Sequence, residues 1–329
     1  MTGSSKRIAI AVILSTLAVA CAVALFMWVR AGRDQASREP RTLLSPQVER
    51  TWRRARLVHM GKLRLRLTEY LSSTGALGHA SVYVEDLNSG VDMGVNERVP
   101  HEIASLLKVG VMMAWLKRDA EEPGLLTKAV WVDSSHLTPN DEIAEKMTAP
   151  MPPGQYRIIT LIERMIIYSD NTAVQALKSA VSYAWMLGVY DDLGLPNPYH
   201  ERLAGDTSAR VRILSAKQYS RIFKALYNAS YLDEEHSELA LKLLTQTKFD
   251  LGLRAVLPEG TLAALKYGLL TDALHESGIV YVKDNPYLVV IFTHGYRPDE
   301  PVETPLGLIR GCGKIVHEFF QDLAMEERQ

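Results

Sequence analysis

Cysteine is nearly missing from this chain: 329 residues hold two, Cys21 and Cys312. Two cysteines build no disulfide framework, and no C-x-x-C pair is present to ligate a structural zinc. Charge of one sign is lacking as well, with 37 Lys and Arg against 38 Asp and Glu, which excludes a surface made mainly for nucleic acid. Missing too are H-E-x-x-H, G-x-S-x-G and a phosphate-cradling glycine loop, and with them go zincin, α/β-hydrolase and nucleotide-enzyme chemistry. Nine histidines are scattered along the chain, so neither a metal nor a cofactor is expected. There is no internal repeat and no low-complexity tract. What is present is apolar: 47% of residues, too many for a disordered chain and enough for one large domain or two.

The neutral total conceals an asymmetry. Residues 1–66 carry 13 basic and 3 acidic side chains, the remainder 24 basic and 35 acidic. The basic part surrounds residues 8–29, a run without a charge, which as a helix would rise about 33 Å and cross a hydrocarbon core of about 30 Å. The expected organisation is a cytoplasmic N-terminus (1–7), a transmembrane anchor (8–29), a basic stalk (30–59) and a globular domain (60–329). A cleaved signal peptide is the competing reading, since Lys6 and Arg7 precede the run and Ala18-Val19-Ala20 resembles a cleavage site. Against it, the run continues through Phe26-Met27-Trp28-Val29, beyond an h-region of about 7–15 residues. Cys21 lacks the lipoprotein pattern, with Ala18 three positions before it and apolar residues after. Arg30, Arg33, Arg38 and Arg41 beyond the run favour, by the positive-inside rule, a cytoplasmic C-terminal side. The same arginines either attract the stalk to anionic headgroups or simply solvate it. From Ser45 the spacing of Val48, Trp52, Leu57, Leu63, Leu67 and Leu71 is helical.

The globular part reads as strands at both ends and helices between. Residues 80–86 alternate as a strand, Asn88-Ser89-Gly90 is a turn, and 91–95 form a second strand. Residues 104–117 are apolar nearly all round, the mark of a buried central helix. Residues 156–250 are largely helical, with loops at Ser169-Asp170-Asn171 and between Gly194 and Arg210. Strand character returns at 262–269, 278–282 and 287–293, and 304–325 form a last amphipathic helix. One sheet assembled from both chain ends, flanked by helices and carrying a large helical insert, is the α+β arrangement this order implies.

Three short motifs carry chemistry. Ser105-Leu106-Leu107-Lys108 opens the buried helix; residues three apart share a helix face, so the Lys108 amine can approach the Ser105 hydroxyl. A serine is a weak nucleophile until a base takes its proton, and a desolvated lysine can serve. The helix start supplies N–H groups where an oxyanion would form. Ser169-Asp170-Asn171 offers a hydroxyl to relay a proton and an amide to hold a substrate, or else a helix N-cap. Lys266-Tyr267-Gly268 places a lysine on a strand bound for the core and a glycine that admits close approach of a ligand.

S-x-x-K, S-D-N and a lysine-led strand motif, in that order and in this setting, resemble the signature of the class A β-lactamase and penicillin-binding superfamily. The resemblance covers roughly residues 60–327 and implies an α/β/α sandwich on a five-stranded, mainly antiparallel sheet. It implies Ser105 as acylated nucleophile, Lys108 as its proton acceptor, Ser169 as relay to the leaving nitrogen and Lys266 as support for Ser169 and for a substrate carboxylate. Asn171 would bind the substrate amide, Asp170 would shape its loop, Tyr267 and Gly268 would line the substrate, and the N–H groups of Ser105 and Leu269 would form the oxyanion hole. This sequence departs from the family pattern in three places. Tyr267 replaces a small hydroxyl residue, Ser277 stands where an arginine is usual, with His275 nearby as a source of partial positive charge, and no Glu-x-x-Leu-Asn segment lies between Leu193 and Ser215. Glu201 is the remaining candidate there for a deacylating base.

The expected function is a membrane-anchored serine acyl hydrolase acting on β-lactams or D-Ala-D-Ala peptides through an acyl-serine, with slow deacylation. Its domain would lie outside the bacterial cytoplasmic membrane on a single-pass anchor. The rival is a catalytically silent binding, sensor or scaffold domain of the same fold; a soluble glutaminase-like amidase is disfavoured by the anchor.

Overall fold

The computed structural model describes residues 52–326 except 182, 197–199, 202–209, 212, 284 and 297–302. The apolar run 8–29, the stalk as far as residue 51 and Cys21 lie outside the described residues. Among the described residues no helix is long and apolar enough to cross a membrane.

The first helix, α1 (Trp52–Ser73), buries Met60, Leu63, Leu67 and Leu71, a stripe spaced by three and four residues as a helix requires. Leu57, which the sequence spacing assigns to that stripe, is 63% exposed; the buried face turns one residue-step away from it. Arg56 already belongs to the domain: it pairs with Asp86 at 2.7 Å and donates to Asn285 at 2.6 Å. Residues 52–59 are therefore part of the packed unit, which divides from the preceding chain after Thr51.

Three short strands follow: β1 (Ala80–Asp86), β2 (Asp92–Val95) and β3 (Pro100–Glu102). Then come a 3-10 turn (Ala104–Leu106) and α2 (Leu107–Glu121). The insert contains β4 (Ala129–Val132), α3 (Glu142–Met147), β5 (Gly154–Arg157), α4 (Ile158–Ile167), α5 (Asn171–Ser179) and α6 (Tyr183–Asp192). It continues through β6 (His200–Glu201), β7 (Arg210–Val211), β8 (Ile213–Ser215), α7 (Ala216–Tyr227) and α8 (Glu234–Thr245). The chain closes with β9 (Ala263–Leu270), β10 (Ala273–Val280), β11 (Tyr287–Thr293) and α9 (Glu303–Glu326).

The main sheet runs β2-β1-β11-β10-β9, with every pairing antiparallel. Its two faces feed two cores, because side chains alternate along each strand. Tyr83, Ala264, Ile279, Val290 and Phe292 pack with the helical insert. Val82, Leu265, Leu274, Val289 and Ile291 pack with α1 and α9. Helix α2 is buried without interruption from Leu107 to Leu116, as its all-round apolar sequence implies. Strand β10 begins earlier than the 278 expected from the sequence: it starts at Ala273, and His275, Glu276 and Ser277 within it are all buried. Cys312 on α9 is also buried, and burial pushes its thiol up to about 12, so it behaves as a small hydrophobe.

A cluster of histidines lies where β3 meets β10 and the end of β11. His101 meets the Ser81 hydroxyl at 2.8 Å and stacks near His294, His275 and Phe292. Burial, then the neighbouring histidines, hold its ring down to about 3. An unfolded histidine takes its proton near 6.5, so the unfolded chain binds the extra proton between those values and stability falls as pH falls through that window. Relative to His101→Gln, the parent protein should lose stability steadily as pH drops from about 6.5 toward 3, by at most about 1.4 kcal/mol per pH unit. Urea midpoints at successive pH values measure this; parallel curves for the two proteins would contradict it.

Candidate active site

Ser105 sits, half-buried, on the 3-10 turn between β3 and α2. The residue before it, Ala104, has φ +47°, a left-handed conformation costing a non-glycine residue about 1–2 kcal/mol. Surrounding structure enforces it. The edge strand β9 passes so close that a Cβ on Gly268 would lie 3.0 Å from the Ala104 Cβ and 3.1 Å from the Ser105 nitrogen. A side chain at 268 would press the two segments apart by a few tenths of an ångström.

At the start of α2, three residues after Ser105, Lys108 is buried with its Nζ toward the motif Ser169-Asp170-Asn171. It donates to the Ser169 carbonyl at 2.6 Å, the Ser169 hydroxyl at 3.1 Å and Asn171 Oδ1 at 2.7 Å. From the other end of the chain, Lys266 Nζ reaches the same Ser169 hydroxyl at 3.0 Å. Lys266 is 1% exposed. Burial holds its amine well below the usual lysine range, and the charge of Lys108 adds to the effect. Lys266 therefore sheds its proton more readily than an exposed lysine does.

The loop that presents Ser169 is built to hold an awkward shape. Ser169 has φ +59° and is fully buried. Asp170 next to it caps α5 by accepting from the Ala173 N–H at 3.0 Å and pairs with Arg164 at 2.6 Å. Asn171 is tied on both sides of its amide, Nδ2 donating to the Pro139 carbonyl at 2.8 Å, while its N–H donates to Asn140 Oδ1 at 2.7 Å.

Tyr267 does not line the site as its motif position suggests. It alternates to the opposite sheet face from Lys266, stacks on Phe249 with ring centres 4.4 Å apart and is 2% exposed. Its hydroxyl donates to Asp141 at 3.1 Å, and burial, then that carboxylate, raise the phenol above its usual range. Its carbonyl accepts from Lys266 Nζ at 3.2 Å, so the backbone at 267 faces away from β10. By the two-residue alternation, the N–H of Leu269 faces the same way. His275 supplies no positive charge: it is buried and burial lowers its ring to about 4, leaving it neutral near pH 7. Glu201 falls on β6 opposite Arg210, but its side chain lies outside the described residues.

Several residues here carry little sequence signal. Arg164, Asn140 and Asp141 act through contacts set by the fold; only Asp141, followed by the turn of α3 it caps, could have been read as a helix start. Glu276, opposite Tyr267 in β10, is fully buried, accepts from the Leu253 N–H at 2.6 Å and is pushed up to about 8 by burial, so it stays largely protonated at neutral pH. No cluster of three metal-ligating side chains occurs among the described residues.

The sequence pattern of the family described as the β-lactamase enzyme family matches residues 62–320. The chain belongs to that family. A structure of PBP-A is similar over 79% of this chain and 96% of its own, at 20% identity and a TM-score of 0.68. A mutant of PBP-A in acyl-enzyme complex with penicillin G is similar over 80% and 97%, at 18% identity and a TM-score of 0.67. A class A β-lactamase from Mycobacterium abscessus is similar over 78% and 99%, at 20% identity and a TM-score of 0.67. At these identities the likeness shows the fold. A search of curated proteins returns no match. The β-lactamase-family serine-hydrolase fold thus brings Lys108, Ser169, Asn171 and Lys266 together beside the turn that carries Ser105.

Asp170→Ala removes a helix cap and leaves Arg164 without its carboxylate, and should cost about 3 kcal/mol in urea unfolding. Asp170→Asn, which keeps a cap, should lose less. Equal stabilities for all three proteins would contradict the loop-holding role.

Proposed function

We propose that this protein is a membrane-anchored serine acyl hydrolase of the cell envelope that takes β-lactams or D-Ala-D-Ala peptides through an acyl-Ser105 intermediate and releases the acyl group slowly. The observation that carries the reading is the convergence on the Ser169 hydroxyl of two buried lysines, one of them, Lys108, three residues after Ser105. Lys266, the amine held low, takes a proton from Lys108 through the Ser169 hydroxyl, and Lys108, so made neutral, takes the Ser105 proton as the hydroxyl attacks the carbonyl. The N–H groups of Ser105 and Leu269 receive the oxyanion. Ser169, held between the lysines, passes a proton to the leaving nitrogen, and Lys266 keeps that hydroxyl oriented. Asn171 directs the substrate amide.

Slow release rests on the shortage of a placed base: the family's Glu-x-x-Leu-Asn segment is missing from the sequence. The apolar run 8–29 would anchor the domain as a single-pass protein, with residues 30–51 as a basic tether. Peptidoglycan chemistry lies outside the cytoplasmic membrane, so the domain belongs on that side.

Incubating the full chain in membranes with a fluorescent penicillin tests this. A covalent adduct is expected that Ser105→Ala abolishes and Lys108→Met slows by at least about a hundredfold. An adduct lifetime of minutes or longer fits slow deacylation. A folded parent that forms no adduct supports the silent binding or scaffold reading instead.

A further inference from the structure

The turn that carries Ser105 is strained, and something must hold it. Of the carbonyls that flank it, the one of Glu102, three residues before Ser105, accepts from His275 Nε2 at 2.8 Å. The carbonyl of Leu106, one residue after, accepts from the Tyr219 hydroxyl at 2.8 Å. Between them lie Ile103, Ala104 at φ +47° and Ser105. We infer that His275 and Tyr219 are positioning residues, a two-point clamp that keeps the nucleophile turn in its reactive shape. The inference rests on the reading of Ser105 as the acylated residue.

Both donors come from the core and are themselves fixed. His275 stands on β10, opposite Gly268 of β9 and Phe292 of β11. It is therefore registered against the very residue that lets β9 approach the Ser105 turn. Tyr219 is fully buried on α7. The Phe292 ring lies beside both, its centre 4.7 Å from that of His275 and 6.0 Å from that of Tyr219. A rotation of either donor would have to displace this shared ring.

The histidine can perform this task in one form. The Thr293 N–H donates to its Nδ1 at 3.2 Å, so Nδ1 carries no proton and Nε2 does. A second proton would set two N–H groups against each other. The titratable groups around the ring are His101 from β3, His294 beyond β11 and the Asp272 carboxylate before β10. Burial dominates and keeps the ring uncharged through the neutral range. Both residues are buried and bond the backbone on either side of Ser105, so the effect is on the placement of its hydroxyl and N–H, where a shift of about 1 Å costs on the order of a hundredfold in rate.

Stopped-flow acylation by a fluorescent penicillin separates initial binding from the acylation step. His275→Leu should slow acylation by roughly a hundredfold with binding little changed, and His275→Gln, whose amide can donate to Glu102 and accept from Thr293, should recover at least about tenfold of that loss. Tyr219→Phe, which keeps the ring and removes one hydroxyl, should slow acylation by about tenfold; it carries the test should His275→Leu fail to fold. The clamp is overturned by folded Leu and Phe variants that acylate within about threefold of the parent, or by a loss at 275 that Gln does not recover. A parent with no Ser105 adduct contradicts the acyl-serine reading instead, and 15N shifts of the His275 ring then judge the clamp: a neutral Nε2–H tautomer at pH 7 supports it, and an Nδ1–H or charged ring overturns it.

Discussion

The Ser169 hydroxyl accepts from Lys108 at 3.1 Å and from Lys266 at 3.0 Å, inside a protein interior where like charges are poorly screened. Two ammonium groups in that position repel, and burial penalises each of them, so the arrangement favours one neutral amine. Most of what surrounds it can be read as the means of holding two lysines there. Helix α2 is buried on all sides, which keeps the Lys108 stem from turning to water. Lys266 extends from an edge strand whose outer side faces the Ser105 turn. Ser169 is held at positive φ by Asp170, itself tied to Arg164 and to the first turn of α5.

The lysines arrive from opposite ends of the chain, separated by the whole helical insert. Lys108 depends on α2 packing into the insert, and Lys266 on β9 completing the sheet beside β10. The site is therefore assembled only when the five-stranded sheet has closed, with β1 and β11 pairing across more than 200 residues. Contacts of such sequence separation form late and slowly. The acidic partners follow the same logic: Asp141 reaches Tyr267 and Arg56 reaches Asp86 across long stretches of chain, each pair closing a seam between the insert or the first helix and the sheet.

Much of the architecture was legible in the residues. The apolar run around Val109 and Met112 announced a buried helix, and the alternation at 80–86 and the continuous apolar run at 287–293 announced strands, both of which are buried throughout. Ser105, Lys108, Ser169 and Lys266 were legible for a different reason: short spacings and chain order are preserved in the family pattern. What escaped was polar and buried. The strand expected from 278 begins at Ala273, so that His275, Glu276 and Ser277 are buried in β10, where His275 donates to the Glu102 carbonyl and burial favours a protonated Glu276. Leu57 looked like a core residue, since α1 alone does not say which of two adjacent stripes meets α9. Tyr267 was misplaced because a motif position does not reveal that a ring too large for the site will stack on Phe249 instead. The clamp on Ser105 could not be read at all: His275 and Glu102 are 173 positions apart, and nothing in either neighbourhood points to the other.

The central claim is the coupled, easily deprotonated lysine pair around Ser169, and the most direct measurement is an NMR titration of the full chain with 13Cε-labelled lysine, assigned with Lys266→Arg. Lys266 should titrate well below the ordinary lysine value of about 10.4, and its midpoint should rise when Lys108 is replaced by Met. A Lys266 resonance that titrates with the exposed lysines, indifferent to Lys108, would contradict the account.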